Sequence, residues 1–288
     1  MIGCGSVPCS GQVLHVASGD ADLYVEVSGT GAPLVLVHGW PLDRRIFAPQ
    51  VPELERHFTV INFDRRGFGR STGRPDLRRE LDDFDRVIDA CARDPVHLLG
   101  MSQGARLALR YAVTRTSRLR SMVLQGAVVE GLSVAESERE RIPVADYAEM
   151  VRQGRLDEFR RRWLQHPMMH IPAQAEDAAA LLREILADYR GADLEVYAPE
   201  LYGFPMDISA AMHTLVLPTL LLTGAHETDA RKAHAARILQ SIRGAREITL
   251  ERSGHLGNLT EPETYNRAVI DFCGGVDQRA ESEPGALD

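Results

Sequence analysis

The sequence contains few cysteines, and their surroundings predict neither a disulfide scaffold nor a metal site. Four cysteines are spread over 288 residues, and only Cys4 and Cys9 lie near each other. No histidine or further cysteine accompanies this pair, whereas a structural metal site usually has four ligands. His166 and His170 have a helical spacing, but Pro167 interrupts them and no nearby carboxylate completes a site. The sequence therefore predicts no metal centre.

An excess of basic residues and a membrane-spanning run are also lacking. The chain has 33 basic and 41 acidic residues, a net charge of −8, and Lys232 is the only lysine. Such a chain offers no basic field to nucleic acid or to an anionic membrane. No apolar run approaches the ~18 residues that a transmembrane helix needs. The first residues lack the basic start and apolar stretch of a secretory signal. We therefore expect a cytoplasmic protein that binds neither nucleic acid nor membranes.

Short runs rich in valine, isoleucine and leucine recur along the chain and end in polar residues or glycine. Apolar runs without alternation favour strands that are buried on both faces of a parallel sheet. The strand-like runs are Gln12–Ala17, Leu23–Val27, Pro33–Gly39, Phe58–Asp64, Pro95–Gly100, Leu119–Gly126, Pro218–Gly224 and Arg246–Gly254. Helical segments separate most of them, for example Leu77–Arg93, Gln103–Thr114 and Ala230–Ile242. This alternation predicts an α/β fold with helices on both faces of a mostly parallel sheet.

One long segment breaks the alternation of strands and helices. Residues 131–205 contain no convincing strand, and apolar residues recur there at helical spacing, as in Leu181, Leu182, Ile185 and Tyr189. We expect this segment to be a helical cap over a core formed by residues 12–130 and 206–274. We expect residues 1–11 to be flexible, and the polar, acidic residues 275–288 to be disordered.

The stretch "VHLLGMSQGARLALRYA" places Ser102 between two glycines at the junction of a predicted strand and a predicted helix. Gly-x-Ser-x-Gly in this context is the nucleophile-elbow pattern. The turn strains the backbone of the serine, so its neighbours must lack bulk, and Gly100, Gly104 and Ala105 meet that need. The following helix directs amide groups at any negative charge that develops there. The pattern predicts that Ser102 is a nucleophile.

A serine hydroxyl needs a base and an orienting acid before it is nucleophilic at neutral pH. His255, in the loop "RSGHLGNL" after the last strand-like run, is the candidate base. The acid is expected after a strand between the serine and the histidine in the chain. Glu227 and Asp229 both follow the run "PTLLLTG", and Glu130, after the preceding strand, is a more distant candidate.

An oxyanion hole would complete such a site. Its first donor is expected to be the backbone amide of Gln103, directly after the nucleophile. The second would come from the loop after "LVLVHGWP", most simply the amide of Trp40. Removal of one such donor typically costs ~3 kcal/mol of transition-state stabilisation.

From about Gln12 to Cys273 the sequence resembles the α/β-hydrolase superfamily. The segments that carry the resemblance are "HGWP", "FDRRGFGRS", "GMSQG", "PTLLLTGAHE" and "SGHLGNLTEPE", in the order and spacing of that family. Within the family the chain is most similar to capped serine carboxylesterases and enol-lactonases. The resemblance implies the α/β-hydrolase fold and no cofactor. It also implies that "DRRGFGRS" is scaffold, with Asp64 and Arg66 as a buried pair and Gly67 and Gly69 in tight turns.

The resemblance also bears on the acid. Related enzymes usually carry an aspartate three residues after the glycine of the corresponding strand, and counted from Gly224 that position is Glu227. Glutamate is one methylene longer and can serve the same role. Asp229 would require the loop to shift by two residues, so Glu227 is favoured.

These features predict a serine hydrolase that cleaves a small to medium, largely apolar ester or lactone through an acyl-enzyme. We expect a monomer or homodimer acting on a small molecule. The expected substrate-binding residues are Trp40, Met101, Trp163, Tyr202 and Phe204, and Met168 and Met169 are further candidates. The same triad serves carbon–carbon hydrolases, thioesterases, and cyclases or lyases of secondary metabolism, and fold does not decide among them. A non-catalytic ligand-binding protein on this scaffold is a less favoured alternative.

Overall fold

The sheet that the strand-like runs predict is present. A computed structural model describes residues 11–93, 95–201 and 207–282. Its strands are β1 (Gln12–Ser18), β2 (Ala21–Ser28), β3 (Ala32–Val37), β4 (Phe58–Phe63), β5 (Val96–Met101), β6 (Leu119–Gln125), β7 (Thr219–Gly224) and β8 (Arg246–Leu250). They pair in the order β1-β2-β4-β3-β5-β6-β7-β8. Pairs β1/β2 and β2/β4 are antiparallel and the others are parallel. The prediction of a mostly parallel sheet is confirmed.

Helices follow most of the strands, as the alternation predicts. Those of the described residues are α1 (Val51–Leu54), α2 (Glu80–Cys91), α3 (Gln103–Arg115), α4 (Val144–Arg152), α5 (Leu156–Leu164), α6 (Glu176–Asp188), α7 (Ala192–Glu195), α8 (Ile208–Ala211), α9 (Asp229–Ser241), α10 (Gly257–Thr260) and α11 (Pro262–Ser282). Thr228 caps α9, since its hydroxyl accepts a hydrogen bond from the amide of Arg231 at 3.4 Å. None of these helices is long and apolar enough to cross a membrane.

The sheet separates two apolar clusters, because successive side chains of a strand point to opposite faces. In β3, Leu34 and Leu36 belong to one cluster, whereas Val35 and Val37 belong to the other. All four are completely buried, and burial of each such side chain contributes roughly 1.5–3 kcal/mol. This two-sided burial explains why the strand reads as an unbroken apolar run.

The described chain between β6 and β7 contains helices and no strand. Helices α4, α5 and α6 pack on the cluster that includes Leu34, whereas Ile208, Met212, Leu215 and Leu217 belong to the cluster on the other face. The aromatic rings of Phe159 and Trp163 in α5 lie 5.7 and 4.8 Å from the ring of Trp40, which follows β3. The inserted helices therefore lie over the loop that leaves β3. The division of the chain into a core and a cap stays a prediction.

The C-terminal segment differs from expectation. Residues 275–282 continue α11, so the prediction of disorder from residue 275 is wrong for them. Val276 is buried, and Asp277 forms ion pairs with His97 at 3.1 Å and with Arg120 at 2.9 Å. These contacts stabilise the helical conformation of a segment whose composition alone favours disorder. Residues 283–288, and residues 1–10 of the expected flexible N-terminus, lie outside the described residues.

The charged residues of the segment "DRRGFGRS" have other ion-pair partners than those expected. Asp64 pairs with Arg44, at 3.1 Å, and Arg66 pairs with Asp83, at 2.5 Å, so Asp64 and Arg66 are not partners. The expectation of that pair is wrong because each residue finds an opposite charge in another part of the chain. Gly69 has φ +50°, and a Cβ there would lie 2.3 Å from the Asp64 carboxylate. Only glycine fits that close approach.

Candidate active site

Ser102 lies in the strained turn that the Gly-x-Ser-x-Gly pattern predicts. It separates β5 from α3 and has φ +54°, the only positive φ among the described residues other than glycine. A Cβ on Gly100 would lie 2.6 Å from the carbonyl oxygen of Gly104, and one on Gly104 would lie 2.2 Å from that of Val37. Both glycines are therefore required, because this backbone conformation, which costs about 1–3 kcal/mol, is held by close packing.

His255 and Glu227 form a buried pair. The Nδ1 atom of His255 lies 2.5 Å from Oε2 of Glu227. Oε1 of Glu227 accepts a hydrogen bond from the amide of Thr228 at 2.8 Å. Burial would raise the pKa of Glu227, but the charge and hydrogen bond of His255, together with the Thr228 amide, hold that pKa below its usual value. The glutamate is therefore ionised at neutral pH and can orient the imidazole.

The other two candidate acids lie elsewhere. Asp229 is exposed in the first turn of α9, and its amide donates to a carboxylate oxygen of Glu140 at 3.2 Å. Glu130 forms short ion pairs with Arg106 and Arg110. Of the three candidates, Glu227 alone contacts the histidine.

Gln125, at the end of β6, connects the serine to the histidine. Its carbonyl oxygen accepts a hydrogen bond from the amide of Ser102 at 2.7 Å. Its side-chain Nε2 donates to the carbonyl oxygen of His255 at 2.8 Å and to Oδ1 of Asn258 at 3.0 Å. The described residues show no hydrogen bond between the Ser102 hydroxyl and the imidazole; such bonds often tighten only when substrate is bound.

The two amides expected in an oxyanion hole are available. Within the described ranges, neither the amide of Trp40 nor that of Gln103 donates to a protein acceptor. The loop that carries Trp40 approaches Ser102, since a Cβ on Gly39 would lie 3.0 Å from Cβ of Ser102. Amides of this kind are satisfied by water or by a ligand, as at the first turn of any helix. An anion that forms on a substrate during reaction would satisfy both.

His38 fixes the peptide that carries the Trp40 amide. Burial and the charge of Arg65 lower the pKa of His38 to about 3, so its ring is neutral. Its Nε2 accepts a hydrogen bond from the amide of Arg65 at 3.0 Å, which leaves the proton on Nδ1 to donate to the Gly39 carbonyl at 2.8 Å. Because the carbonyl and N–H of one trans peptide point in opposite directions, holding the Gly39 carbonyl also directs the Trp40 amide.

Sequence reasoning missed a second buried network beside Gln103. Arg65 donates from Nη2 to Oε1 of Gln103 at 2.7 Å, and it forms a two-point ion pair with Glu80 at 2.6 and 2.8 Å. These side chains hold the first residue of α3 in place. Arg65 belongs to "FDRRGFGRS", whose segment was expected to be scaffold, but nothing in the local pattern links it to Gln103.

A small cavity of about 130 Å³ opens beside Ser102. Its apolar walls are Trp40, Val128, Ile142, Val144, Trp163 and Met168, and its polar lining is Ser102, Gln103, Arg106 and Arg231. The structure thus brings the expected residues Trp40 and Trp163 to the cavity. Sequence reasoning missed both arginines, since their helices gave no sign of which residues face Ser102.

Other expected lining residues are placed elsewhere or are not described. Met101 is buried in the core, with its side chain against Gly39, and it does not line the cavity in the described part of the chain. Tyr202 and Phe204 lie outside the described residues. His166 stacks on Trp163 at 4.8 Å between ring centroids. No cluster of three potential metal ligands occurs in residues 11–93, 95–201 and 207–282.

Comparison with known proteins agrees with this geometry. Residues 34–268 match the model of the alpha/beta hydrolase family. The (E)-2-((N-methylformamido)methylene)succinate hydrolase of Acinetobacter baylyi is 26% identical over 265 residues, which cover 90% of this chain and 96% of that protein. An esterase from Exiguobacterium antarcticum has a TM-score of 0.75 at 24% identity, with 92% of this chain and 100% of that one covered. The enol-lactonase from Burkholderia xenovorans also has a TM-score of 0.75, at 21% identity, with 91% of this chain and 100% of that one covered.

Proposed function

Because the chain belongs to the alpha/beta hydrolase family, we propose that it is a serine hydrolase that cleaves a small to medium, largely apolar ester or lactone through an acyl-enzyme on Ser102. The observation that carries the proposal is the buried contact of 2.5 Å between His255 and Glu227. Gln125 connects His255 by hydrogen bonds to Ser102, whose backbone is strained. The relative from A. baylyi, which is named as a hydrolase and matches 90% of this chain, supports the same class of reaction.

In the first half of the proposed reaction, Oγ of Ser102 attacks the substrate carbonyl. Nε2 of His255 accepts the hydroxyl proton and then donates it to the leaving oxygen. The carboxylate of Glu227 accepts the hydrogen bond from Nδ1 and stabilises the imidazolium that forms between these two transfers. Its lowered pKa keeps it charged for this role.

The charge that develops on the carbonyl oxygen would be bound by the amides of Trp40 and Gln103. Each such donor contributes about 3 kcal/mol to stabilisation of the transition state. His38 acts here as a positioning residue, because its Nδ1–H holds the carbonyl of the same peptide that carries the Trp40 amide.

In the second half, water takes the place of the leaving group. His255 removes a proton from that water, the resulting hydroxide attacks the acyl carbon, and the proton returns to Oγ of Ser102. The free acid then leaves, and the serine is regenerated.

The proposal is tested by hydrolysis of p-nitrophenyl esters from acetate to decanoate. We expect turnover to vanish in Ser102→Ala and to fall by at least about 100-fold in Glu227→Gln. Asp229→Asn is the matched control, since it removes a carboxylate two residues away that does not contact His255, and it should retain activity. A collapse in Asp229→Asn, or ester turnover that survives in Ser102→Ala, would contradict the proposal.

A further inference from the structure

The cavity beside the nucleophile contains a cation whose role the proposed reaction leaves unexplained. Arg231, in the first turn of α9, lines the same 130 Å³ space as Ser102. It also lines a larger neighbouring cavity of about 380 Å³, together with Glu136 and His234. The guanidinium therefore lies where the space beside the nucleophile meets a wider outer space.

Arg231 differs from the other arginine of this cavity in its partners. Arg106 forms an ion pair with Glu130. Within the described residues, the guanidinium of Arg231 donates a weak hydrogen bond to Sδ of Met168, at 4.0 Å. Across the described residues, no carboxylate forms an ion pair with Arg231. The charges of Glu227 and the exposed Glu136 attract it only from a greater distance.

Arg231 is half-buried, and a cation without an ion-pair partner is costly to the folded protein in such a position. Burial lowers the pKa of Arg231, and the positive charge of Arg106 lowers it further, while Glu227 and Glu136 oppose these effects. Guanidinium nevertheless stays protonated in proteins, so a charge remains in a mostly apolar cavity. A buried charge usually has a hydrogen-bonded partner of opposite sign. The missing partner is expected to arrive with the substrate.

We propose that Arg231 binds a carboxylate on the acyl group of the substrate, so that the enzyme hydrolyses half-esters of short dicarboxylic acids. The inference rests on the proposed function, since it assumes that Ser102 carries the acyl group, and it adds one carboxylate to the otherwise apolar acyl group proposed there. A planar guanidinium binds a carboxylate through two parallel hydrogen bonds, which favours this anion over a neutral end group. The six apolar walls would contact the methylene groups between the two ends.

The volume of the cavity limits the length of the acyl group. An apolar cavity of comparable volume, about 150 Å³, admits a ligand of the size of benzene. A chain that joins the ester carbonyl at Ser102 to a carboxylate at Arg231 in that space contains a few methylene groups. The expected substrates are therefore half-esters of acids such as succinic and glutaric acid. The carboxylate is placed on the acyl group because that group stays in the cavity through both steps of the reaction, whereas the leaving group departs after the first.

The test compares two methyl esters of nearly equal shape. One is monomethyl glutarate; the other is methyl 5-methylhexanoate, in which an isopropyl group replaces the carboxylate. We expect wild type to prefer the glutarate half-ester in kcat/KM. We expect Arg231→Met to lower kcat/KM for the half-ester by about 10- to 100-fold, mainly through KM, and to leave the neutral ester within about threefold, because a hydrogen bond to a charged group is lost only with the first.

The matched control is Arg237→Met on the same helix, which removes an arginine that donates to Ser209 at 3.3 Å and does not line the cavity. It should leave both esters unaffected. Equal loss of both esters in Arg231→Met would overturn the inference, because it would mean that Arg231 acts on Glu227 or on the fold. A wild-type preference for the neutral ester would overturn it as well.

The two proposals fail in different ways. Hydrolysis of neutral esters that depends on Ser102, without any preference for the half-ester, contradicts the carboxylate site alone. If no ester is hydrolysed, the proposed function fails, and calorimetry with monomethyl glutarate then tests the site by itself. Ser102→Ala should bind this ligand at least about 10-fold more tightly than Ser102→Ala/Arg231→Met. Equal or undetectable binding to both would overturn the carboxylate site.

Discussion

The side chain of Gln125 donates a hydrogen bond to the carbonyl oxygen of His255 at 2.8 Å. The same residue accepts the amide of Ser102 through its own carbonyl at 2.7 Å. The end of β6 thus holds Ser102 by the backbone of Gln125 and His255 by its side chain. The relative position of these two residues, which are the proposed nucleophile and base, depends on a residue to which the proposed reaction gives no part in proton transfer.

Replacement of Gln125 by leucine tests this link. The change keeps the approximate size of the side chain but leaves buried groups of His255 and Asn258 without their donor, at a cost of about 1–3 kcal/mol of folding free energy. We expect kcat for the best p-nitrophenyl ester to fall at least about 10-fold, since a small misplacement of the base is costly. Gln153→Leu, at an exposed position between α4 and α5, is the control and should leave activity unchanged.

Gly126 tests how closely the backbone must approach the imidazole. It has φ +59°, and a Cβ there would lie 2.4 Å from Cε1 of His255. We therefore expect Gly126→Ala to displace the ring and to lower kcat/KM by at least about 10-fold. Gly154→Ala provides the matched comparison, because Gly154 has φ +74° and nothing within 4 Å of the added Cβ. Equal activity of the two variants would show that the close approach has no bearing on the base.

The neutral state of His38 predicts a pH dependence of stability. Burial lowers its pKa to about 3 in the folded protein, whereas an unfolded histidine titrates near 6.5. The unfolded chain therefore binds a proton that the folded protein excludes, so the contribution of His38 is complete above pH 6.5 and is lost as the pH falls towards 3. We expect the free energy of unfolding of wild type to decrease over this window by up to about 1.4 kcal/mol per pH unit more than that of His38→Gln.

Urea unfolding at pH 6.5, 5.5 and 4.5 measures that difference. The exposed His213 provides a control, since His213→Gln should follow the wild-type dependence on pH. Parallel curves for wild type and His38→Gln would mean that the His38 ring is charged in the folded protein. Its Nε2 could not then accept the amide of Arg65, and the account of how the Trp40 amide is directed would fail.

Local patterns were sufficient for the strands and for the elbow. All eight strand-like runs are strands. The central strands β4, β5 and β6 are continuous apolar runs because both faces of the sheet are buried there, whereas the edge strands β1 and β8 are largely exposed. The strained conformation of Ser102 could be predicted because the glycines that it requires as neighbours occur within the same five-residue pattern. The local pattern left Glu227 and Asp229 open as the acid, and the resemblance to related enzymes favoured Glu227. The structure places the Glu227 carboxylate against His255. Its catalytic role stays a prediction.

Contacts between distant parts of the chain could not be predicted in the same way. Arg66 pairs with Asp83 and not with Asp64. The contact of Asp277 with His97 stabilises the end of α11, in a segment whose composition favours disorder. Gln125 ends an apolar strand, and nothing around it indicates a bond to a residue 130 positions later. Arg231 is one of many arginines in the sequence, and only the packing of α9 shows that it lines the cavity.

The most direct test of the central claim is covalent trapping with a fluorophosphonate, followed by mass spectrometry of the intact protein and of its peptides. We predict one adduct per chain, located on Ser102, with a rate of labelling that falls sharply in Glu227→Gln and is unchanged in Asp229→Asn. An adduct on another residue, or no adduct on folded protein, would contradict the assignment of Ser102 as the nucleophile.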